Sequence, residues 1–500
     1  MKKRYSFSLI GLLIAGLTAC DDYLDINDDP YLPQVAEPHL YLPQIAYAMA
    51  EGEMFDSRYV GEYSQYWSYV NPYYNYDMHG SRGTADNPSA AAQRWRNHYW
   101  SIGSNVNEVM KAAEERGYGA YEGIGKAIMA WSWLQATDTY GPMPYQQAWD
   151  NTQTKFTYDT QEYIYGEIDK LADEALVALE AADATEDVNL PEWELIYNGD
   201  LSKWRKMVYA VKARRANHLS NKALYNPDQV IQYVDNAFES NDDNLNIYFE
   251  GNSSATANFL GASRANYNNY RQGRVVIELL DGTQFNGVED PRLPLMFNAN
   301  PDSDYHGVSF PLGDTLAGQM TVTPGGDTVA NAIPRMYGKY LFLDGAPYPL
   351  MTYFELQFIK AEAAFHKGDL GTALAAFQEG VRSHMDYVGV DAGAAADYLA
   401  SDALPQASTD LTLAHIMSQK YIALFTNNET WADLRRYDYS GDVFMGFALP
   451  DTLRPENMGK PVERCLPTQY SEYDWNQENI AAEGGLENDY HTKPLWFTEP

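Results

Sequence analysis

Cysteine is almost missing from this chain: Cys20 and Cys465 are the two it has in 500 residues. If Cys20 is otherwise engaged no disulfide framework exists, and Cys465 reads as a small buried hydrophobe. Long apolar runs are missing as well. The greasiest stretch, SLIGLLIAGL at residues 8–17, offers about a dozen apolar positions with its neighbours, well short of the roughly 20 that cross a bilayer. A mean hydropathy of −0.47 describes a body that stands in water. Bases are scarce, with 35 Lys and Arg against 69 Asp and Glu, a formal net charge of −34. Such a surface repels phosphate backbones and anionic lipid, which excludes nucleic acid as a partner. Linkers rich in Pro, Gly and Ser are lacking too. The length suggests about three domains, yet the undivided text and 45% hydrophobic content favour one large core. Signatures of catalysis are also absent: there is no HExxH and no nucleophile elbow. GAYEGIGKA, at 119–127, lacks the glycine spacing of a phosphate loop and carries Ala127 where Ser or Thr would hold magnesium. No catalytic residue, metal ligand or cofactor is therefore assigned.

What is present begins with Lys2, Lys3 and Arg4 ahead of the short apolar run, the layout of an export signal. Leu17-Thr18-Ala19-Cys20 resembles a bacterial lipobox, which makes 1–19 a signal peptide and Cys20 the lipidated first residue of a tethered protein; the alternative is a plain secretory signal. The acidic, proline-bearing stretch that follows reads as an extended tether over 20–42, with the folded body at 43–500 and its first helix near Pro43.

Hydrophobic spacing predicts helices over 92–116, 121–137 and 162–180, and a further one in DLSKWRKMVYAVKARRANHL with Asp200 or Ser202 as its cap. The 121–137 helix is apolar nearly all round, hence buried, and must stop at Gly141-Pro142. Over 354–386, Ala361, Gly368, Leu370, Ala373, Phe377 and Gly380 fall at the spacing of a tetratricopeptide hairpin, which cannot bury its own apolar face and needs others stacked on it. Residues 221–350 turn Asn-, Gly- and Pro-rich and read as long loops with short strands. The predicted fold class is all-α, built of tetratricopeptide-like helical hairpins.

Several phrases together resemble one family. They are AWSWLQATDTYGPMPYQQA, KWRKMVYAVKARRANHL, EDPRLPLMF, IKAEAAFHKGD, QKYIALFTNNETWADLRRYDY, ERCLPTQYSEYDWNQENIAA and KPLWF, in this order along the chain. The series resembles the SusD/RagB-type nutrient-binding lipoproteins of the Bacteroidetes outer membrane, in the SusD-like, starch-binding branch. The resemblance implies a lipid-anchored protein on the extracellular face of the outer membrane that captures oligosaccharide, or peptide in the RagB manner, and passes it to a SusC-like TonB-dependent transporter. A surface glycoside hydrolase and a purely structural partner of the transporter are the competing readings. Arg214, Arg215, Arg435 and Arg436 read as ion-paired with nearby carboxylates rather than as an anion site, and Arg292 as a salt-bridged turn residue.

The 40 tyrosines suggest a wet recognition surface. They crowd into YSQYWSYVNPYYNYDMHG, at 63–80, where Tyr66, Trp67, Tyr69, Tyr73, Tyr74 and Tyr76 offer flat faces to sugar rings and Asn71 and Asn75, with Gln65, offer amides to hydroxyls. The alternative is that Tyr63, Tyr66 and Tyr69 or Tyr73 form a helical stripe in the core. A second tract at 266–274, with Tyr270, is a candidate opposite wall. DSDYHG, at 302–307, is similar to the start of a calcium loop, but Gly313 stands where the bidentate glutamate belongs, so a structural calcium is the weaker expectation.

Overall fold

A computed structural model describes residues 36–70, 92–310 and 312–500. The export signal and Cys20 lie outside them. The chain turns helical inside the stretch read as tether: a 3-10 turn, Pro38–Tyr41, buries His39 against the Trp193 ring and leads into α1, Leu42–Tyr63. β1, Trp67–Tyr69, follows. The segment predicted as one helix over 92–116 is helical throughout but not uniform. A short α-turn, Gln93–Arg96, opens into a π-helical stretch, Asn97–Ser104, before α2, Asn105–Arg116.

A succession of helical hairpins comes next. α3 spans Gly119–Tyr140 and α4 Gln161–Ala181; α5 spans Leu201–His218 and α6 Pro227–Asp235. The starts of α4, α5 and α6 have a local cause. Thr160 accepts the Tyr163 N–H, Asp200 accepts those of Ser202 and Lys203, and Asn226 accepts those of Asp228 and Gln229. α3 is buried on every side over its last turns and stops at Gly141, whose φ of 82° suits glycine. Next come β2, Leu245–Ile247, β3, Tyr270–Gln272, and α7, Arg274–Leu280; the β4–β5 hairpin, Met320–Val322 with Thr328–Ala330; and β6, Tyr348–Met351. The hairpin read in the sequence is α8, Tyr353–Lys367, and α9, Leu370–Val388, joined through Gly368 at φ 82°. A Cβ on Gly380 would stand 3.0 Å from the Phe358 ring, so the missing side chain sets how closely these two helices approach. α10, Ala392–Leu399, α11, Leu413–Ala423, and α12, Glu429–Arg436, complete the scaffold.

α2 packs on α3, α3 on α4, α4 on α5, α5 on α6, α6 on α8 and α8 on α9, so the hairpins stack in chain order. The all-α reading holds, since among the described residues the strands form three short antiparallel pairs: β1–β3, β2–β6 and β4–β5. α6 and α7 correct the loop reading of 221–350. α6 is nine residues long with only Val230 and Val234 buried, too brief a stripe to stand out in the sequence. Among the described residues no helix is long and apolar enough to cross a membrane.

The family arginines tie the stack together from inside. Arg214 on α5 places Nε and Nη2 each 2.6 Å from one oxygen of Glu355 on α8. Arg436 on α12 reaches Glu362 at 2.7 Å and Asp433 at 2.5 Å, and Lys420 on α11 closes on Asp433 at 2.8 Å. Arg292 meets Asp290 at 2.5 Å and Gln419 Oε1 at 2.5 Å. These groups are all buried, and each charge is paired, which is the condition for tolerating them there. Arg215 approaches Asp169 at 3.8 Å and donates Nε to the Tyr165 carbonyl at 2.9 Å. Arg435 departs from the expected carboxylate pairing: it donates to the Trp431 and Glu463 carbonyls and lies 3.8 Å over the Trp431 ring.

Candidate ligand-binding site

The aromatic tract singled out in the sequence divides on folding. Trp67 is 0% exposed: Tyr267, Phe342 and Phe425 meet its ring edge-on, and a Cβ on Gly61 would lie 2.1 Å from its Cζ2. Tyr66 is buried too and is held by the Tyr421 carbonyl and the Thr430 hydroxyl, both at 2.6 Å. Tyr270 packs between Tyr69 and Tyr267 and is likewise buried. These three side chains have no face to offer a ligand, which corrects the expectation. They belong to the core, but on a turn and a strand rather than on a helical stripe: α1 ends at Tyr63, and Tyr69, on β1, is part-exposed. Tyr69 is part-exposed, and its hydroxyl accepts from the Asn269 amide at 2.8 Å. Gln65 is buried and donates to the Ala448 carbonyl. Asn71, Tyr73, Tyr74, Asn75 and Tyr76 lie outside the described residues. The second tract adjoins the first as a neighbouring strand rather than an opposite wall, with Trp67 opposite Gln272 and Tyr69 opposite Tyr270.

A different set of aromatics reaches solvent. A groove of about 480 Å³ lies between the Asn97–Ser104 π-helical stretch, the loop from Pro144 to Phe156, and a second π-helical stretch, Gln469–Trp475. Trp95, Tyr99, Trp100, Trp149 and Phe156 line it, with Ser104, Asn151, Thr468, Ser471 and Glu472 as polar groups and Arg96 at its edge. Trp100 is 71% exposed; on the second stretch Tyr470 is 61% and Trp475 75% exposed. Contiguous exposed apolar surface marks interaction sites and ligand-binding grooves, and π-helical turns recur at functional sites.

The walls are held from behind. Trp149 sits at φ 61°, an unusual conformation for a bulky residue, and donates Nε1 to the Tyr99 carbonyl at 2.7 Å. Its ring fills the space over Gly103, where a Cβ would come within 2.0 Å of Cζ2. Tyr99 donates its hydroxyl to the Pro144 carbonyl at 2.8 Å. Asn476 grips Phe156 through both backbone groups, accepting its N–H at 3.0 Å and donating to its carbonyl at 2.9 Å. Glu472 accepts from the Tyr158 hydroxyl at 2.7 Å and from Asn476 at 2.9 Å, so its carboxylate is committed to the wall. Behind Tyr99, His98 is pushed down to about 3 by burial and stays neutral, with Nδ1 2.8 Å from the Ser132 hydroxyl. The sequence carried a signal for this groove in the Trp95–Tyr99–Trp100 cluster, but a regular helix turns Trp100 away from the face that Trp95 and Tyr99 share.

Two larger surface hollows, of about 650 and 590 Å³, lie along the outer helices. The first has a single ring, Tyr118, in its lining, and its Lys126 is paired with Glu122 and Glu174 at 2.8 and 3.0 Å. The second holds Val177, Tyr209, Arg205 and Lys206 but no stacked pair of rings.

A family profile described as starch-binding, associating with outer membrane, matches residues 30–444. The chain belongs to this SusD-like family. Membership places the SusD-like chain among nutrient-binding proteins that associate with the outer membrane. Solved structures share its fold across nearly its whole length. A chitin-binding protein is 22% identical, with 93% of this chain and 100% of that chain covered at a TM-score of 0.71. A SusD/RagB family protein from Bacteroides thetaiotaomicron is 22% identical over 93% and 99% at 0.70. A chitin-binding SusD homolog from Flavobacterium johnsoniae is 18% identical over 92% and 97% at 0.67. No curated protein matches the chain.

Proposed function

We propose that this SusD-like protein captures oligosaccharide at the outer surface of the outer membrane without cleaving it and delivers it to a SusC-like TonB-dependent transporter. The observation that carries the binding half is the groove between two π-helical stretches, in whose wall the Trp100 ring is largely exposed beside Tyr99 and Trp149. Flat indoles stack on the apolar faces of sugar rings, and the hydroxyls of Ser104 and Ser471 and the Asn151 amide suit their edges. Two of the structural relatives are described as chitin-binding, which favours an N-acetylated or neutral glycan over an acidic one. The net charge of −34 points the same way. Lipidation of Cys20 would hold the protein at the membrane.

Titration calorimetry with chitooligosaccharides, maltooligosaccharides and a mixed peptide pool tests the reading. Glycan binding that weakens about tenfold in Trp100→Ala, a change of ~1.4 kcal/mol, supports it. Binding of peptides alone replaces oligosaccharide with peptide. Appearance of shortened products on long incubation would mean turnover. Loss of fatty-acid labelling in Cys20→Ala tests the anchor, and co-purification of a barrel partner with the intact chain tests delivery.

A further inference from the structure

We infer that the loop 300–306, together with Asn331, is a binding site for one divalent transition-metal ion such as zinc, separate from the aromatic groove. The loop is tightly wound on itself. Asn300 donates its backbone N–H to the Asp304 carbonyl at 2.7 Å, and Ser303 donates to the Asn300 carbonyl at 2.9 Å. The Asp304 N–H is held by Asp302 Oδ1 at 3.1 Å. This winding gathers an oxygen of Asp302, an oxygen of Asp304 and a ring nitrogen of His306 within 4.8 Å of one another. His306 Nε2 is 3.1 Å from Asp302 Oδ2.

Carboxylates clustered on an acidic protein are no evidence of a site, but a second element points into this one. Asn331, which follows β5, is 8% exposed and brings its amide Nδ2 to 2.6 Å from Asp302 Oδ2, while its own Oδ1 is buried with no partner. A buried carbonyl oxygen left unpaired costs about 1–3 kcal/mol. As it stands the amide is a donor to Asp302; turned by half, it would offer Oδ1 to a cation seated beside Asp302 Oδ2 in exchange for that hydrogen bond. The backbone of Asn331 is anchored by donation to the Gln319 carbonyl at 2.6 Å, so the amide is presented by a fixed strand end. Asn300, in the same loop, is 4% exposed and leaves both its side-chain atoms without a partner.

The donor set names the class of ion. Two carboxylates, an amide oxygen and an imidazole suit a borderline metal, whereas calcium and magnesium take oxygen alone. This departs from the calcium suggested by DSDYHG. Ligand atoms on a tetrahedral zinc stand roughly 3.3 Å apart, so the group needs to close by about 1–1.5 Å. Access is open: His306 is half-buried and borders a cavity of about 240 Å³ with Tyr305 and Arg274. The loop is itself docked on β3, since the His306 carbonyl accepts from Gln272 Nε2 at 2.9 Å and Val308 N–H donates to the Gln272 carbonyl at 2.8 Å. A metal here would clamp the β4–β5 hairpin to β3.

The test uses the intact chain after chelator treatment and dialysis, titrated with zinc chloride and separately with calcium chloride. One zinc per chain is expected, with at least tenfold weaker binding in Asp304→Asn and in His306→Gln. Asp304 is exposed and its carboxylate holds up nothing else in the loop, so Asp304→Asn keeps the fold and separates lost ligation from unfolding; unchanged circular dichroism checks this. Replacement of zinc by cobalt should give visible absorption from mixed nitrogen and oxygen ligands, lost in His306→Gln. No stoichiometric zinc, or zinc retained by both variants, would mean adventitious binding to surface carboxylates and overturns the site. Calcium bound in preference to zinc overturns the assignment of the imidazole as a ligand.

Discussion

Arg214 and Glu355 face each other as two forks inside the helical stack, with Nε and Nη2 each 2.6 Å from a carboxylate oxygen and neither residue in contact with solvent. The pair joins α5 to α8, and Glu429 of α12 stands 3.6 Å from the same guanidinium. Arg214→Met therefore strands two carboxylates in a dry interior. A loss of about 3–5 kcal/mol is expected, read as a fall in the urea midpoint. A variant as stable as the parent would show that solvent reaches this pair.

His218 sets an alkaline limit on stability. It lies between Glu429 at 2.6 Å and Asp138 at 3.0 Å. Burial disfavours its charged form, but the two carboxylates outweigh burial and hold it up to about 9. The unfolded chain titrates near 6.5, so the folded state binds the proton more tightly. The stabilisation is complete below about pH 6.5 and disappears as pH rises through about 9, a drop of a few kcal/mol. Melting curves from pH 6 to 10 should show this drop, and His218→Gln should flatten it.

The same ion cluster sets an acid limit. Burial would raise Glu429, but His218 and Arg214 outweigh it and hold the carboxyl down to about 2. Its contribution is present above about pH 4.5 and is lost as pH falls through about 2. Unfolding followed from pH 5 to 2 should begin earlier in His218→Gln, where the nearer cation is gone.

Gly103 keeps the groove in shape. A Cβ there would fall 2.0 Å from Trp149 Cζ2 and 2.7 Å from the His98 carbonyl. Gly103→Ala should cost about 1–3 kcal/mol and move the Trp149 ring. Near-ultraviolet circular dichroism reports the movement, and an unchanged spectrum would mean the ring is not seated there.

Trp67 and Trp100 should behave as opposites. Trp67→Ala opens a cavity in the core and is expected to cost about 3–5 kcal/mol. Trp100→Ala should leave the melting temperature unchanged and weaken glycan binding alone. The two measurements made on both variants distinguish a packing ring from a binding ring.

Much of the scaffold was legible because its causes are local. Thr160, Asp200, Thr352 and Asp369 each cap a helix from its own first turn, and Gly368 turns the α8–α9 hairpin through its own φ. The inward arginines were legible as pairs for Arg214, Arg436 and Arg292, since a chain so rich in acids supplies partners. Arg435 was not, because a ring and two carbonyls satisfy it as well as a carboxylate does. The binding surface was the least legible part. Trp67 and Trp100 are the same residue type in equally aromatic neighbourhoods, and nothing adjacent to either tells which one meets water.

Periodicity and caps act within a turn or two of the chain, so hairpins, helix starts and an all-α class were already implied by residue order. Which rings face out depends on segments hundreds of positions apart: Phe342 and Phe425 close over Trp67, while the Gln469–Trp475 stretch arrives beside Trp100 and leaves it open. Burial is a property of those distant meetings, and only the folded chain brings them about.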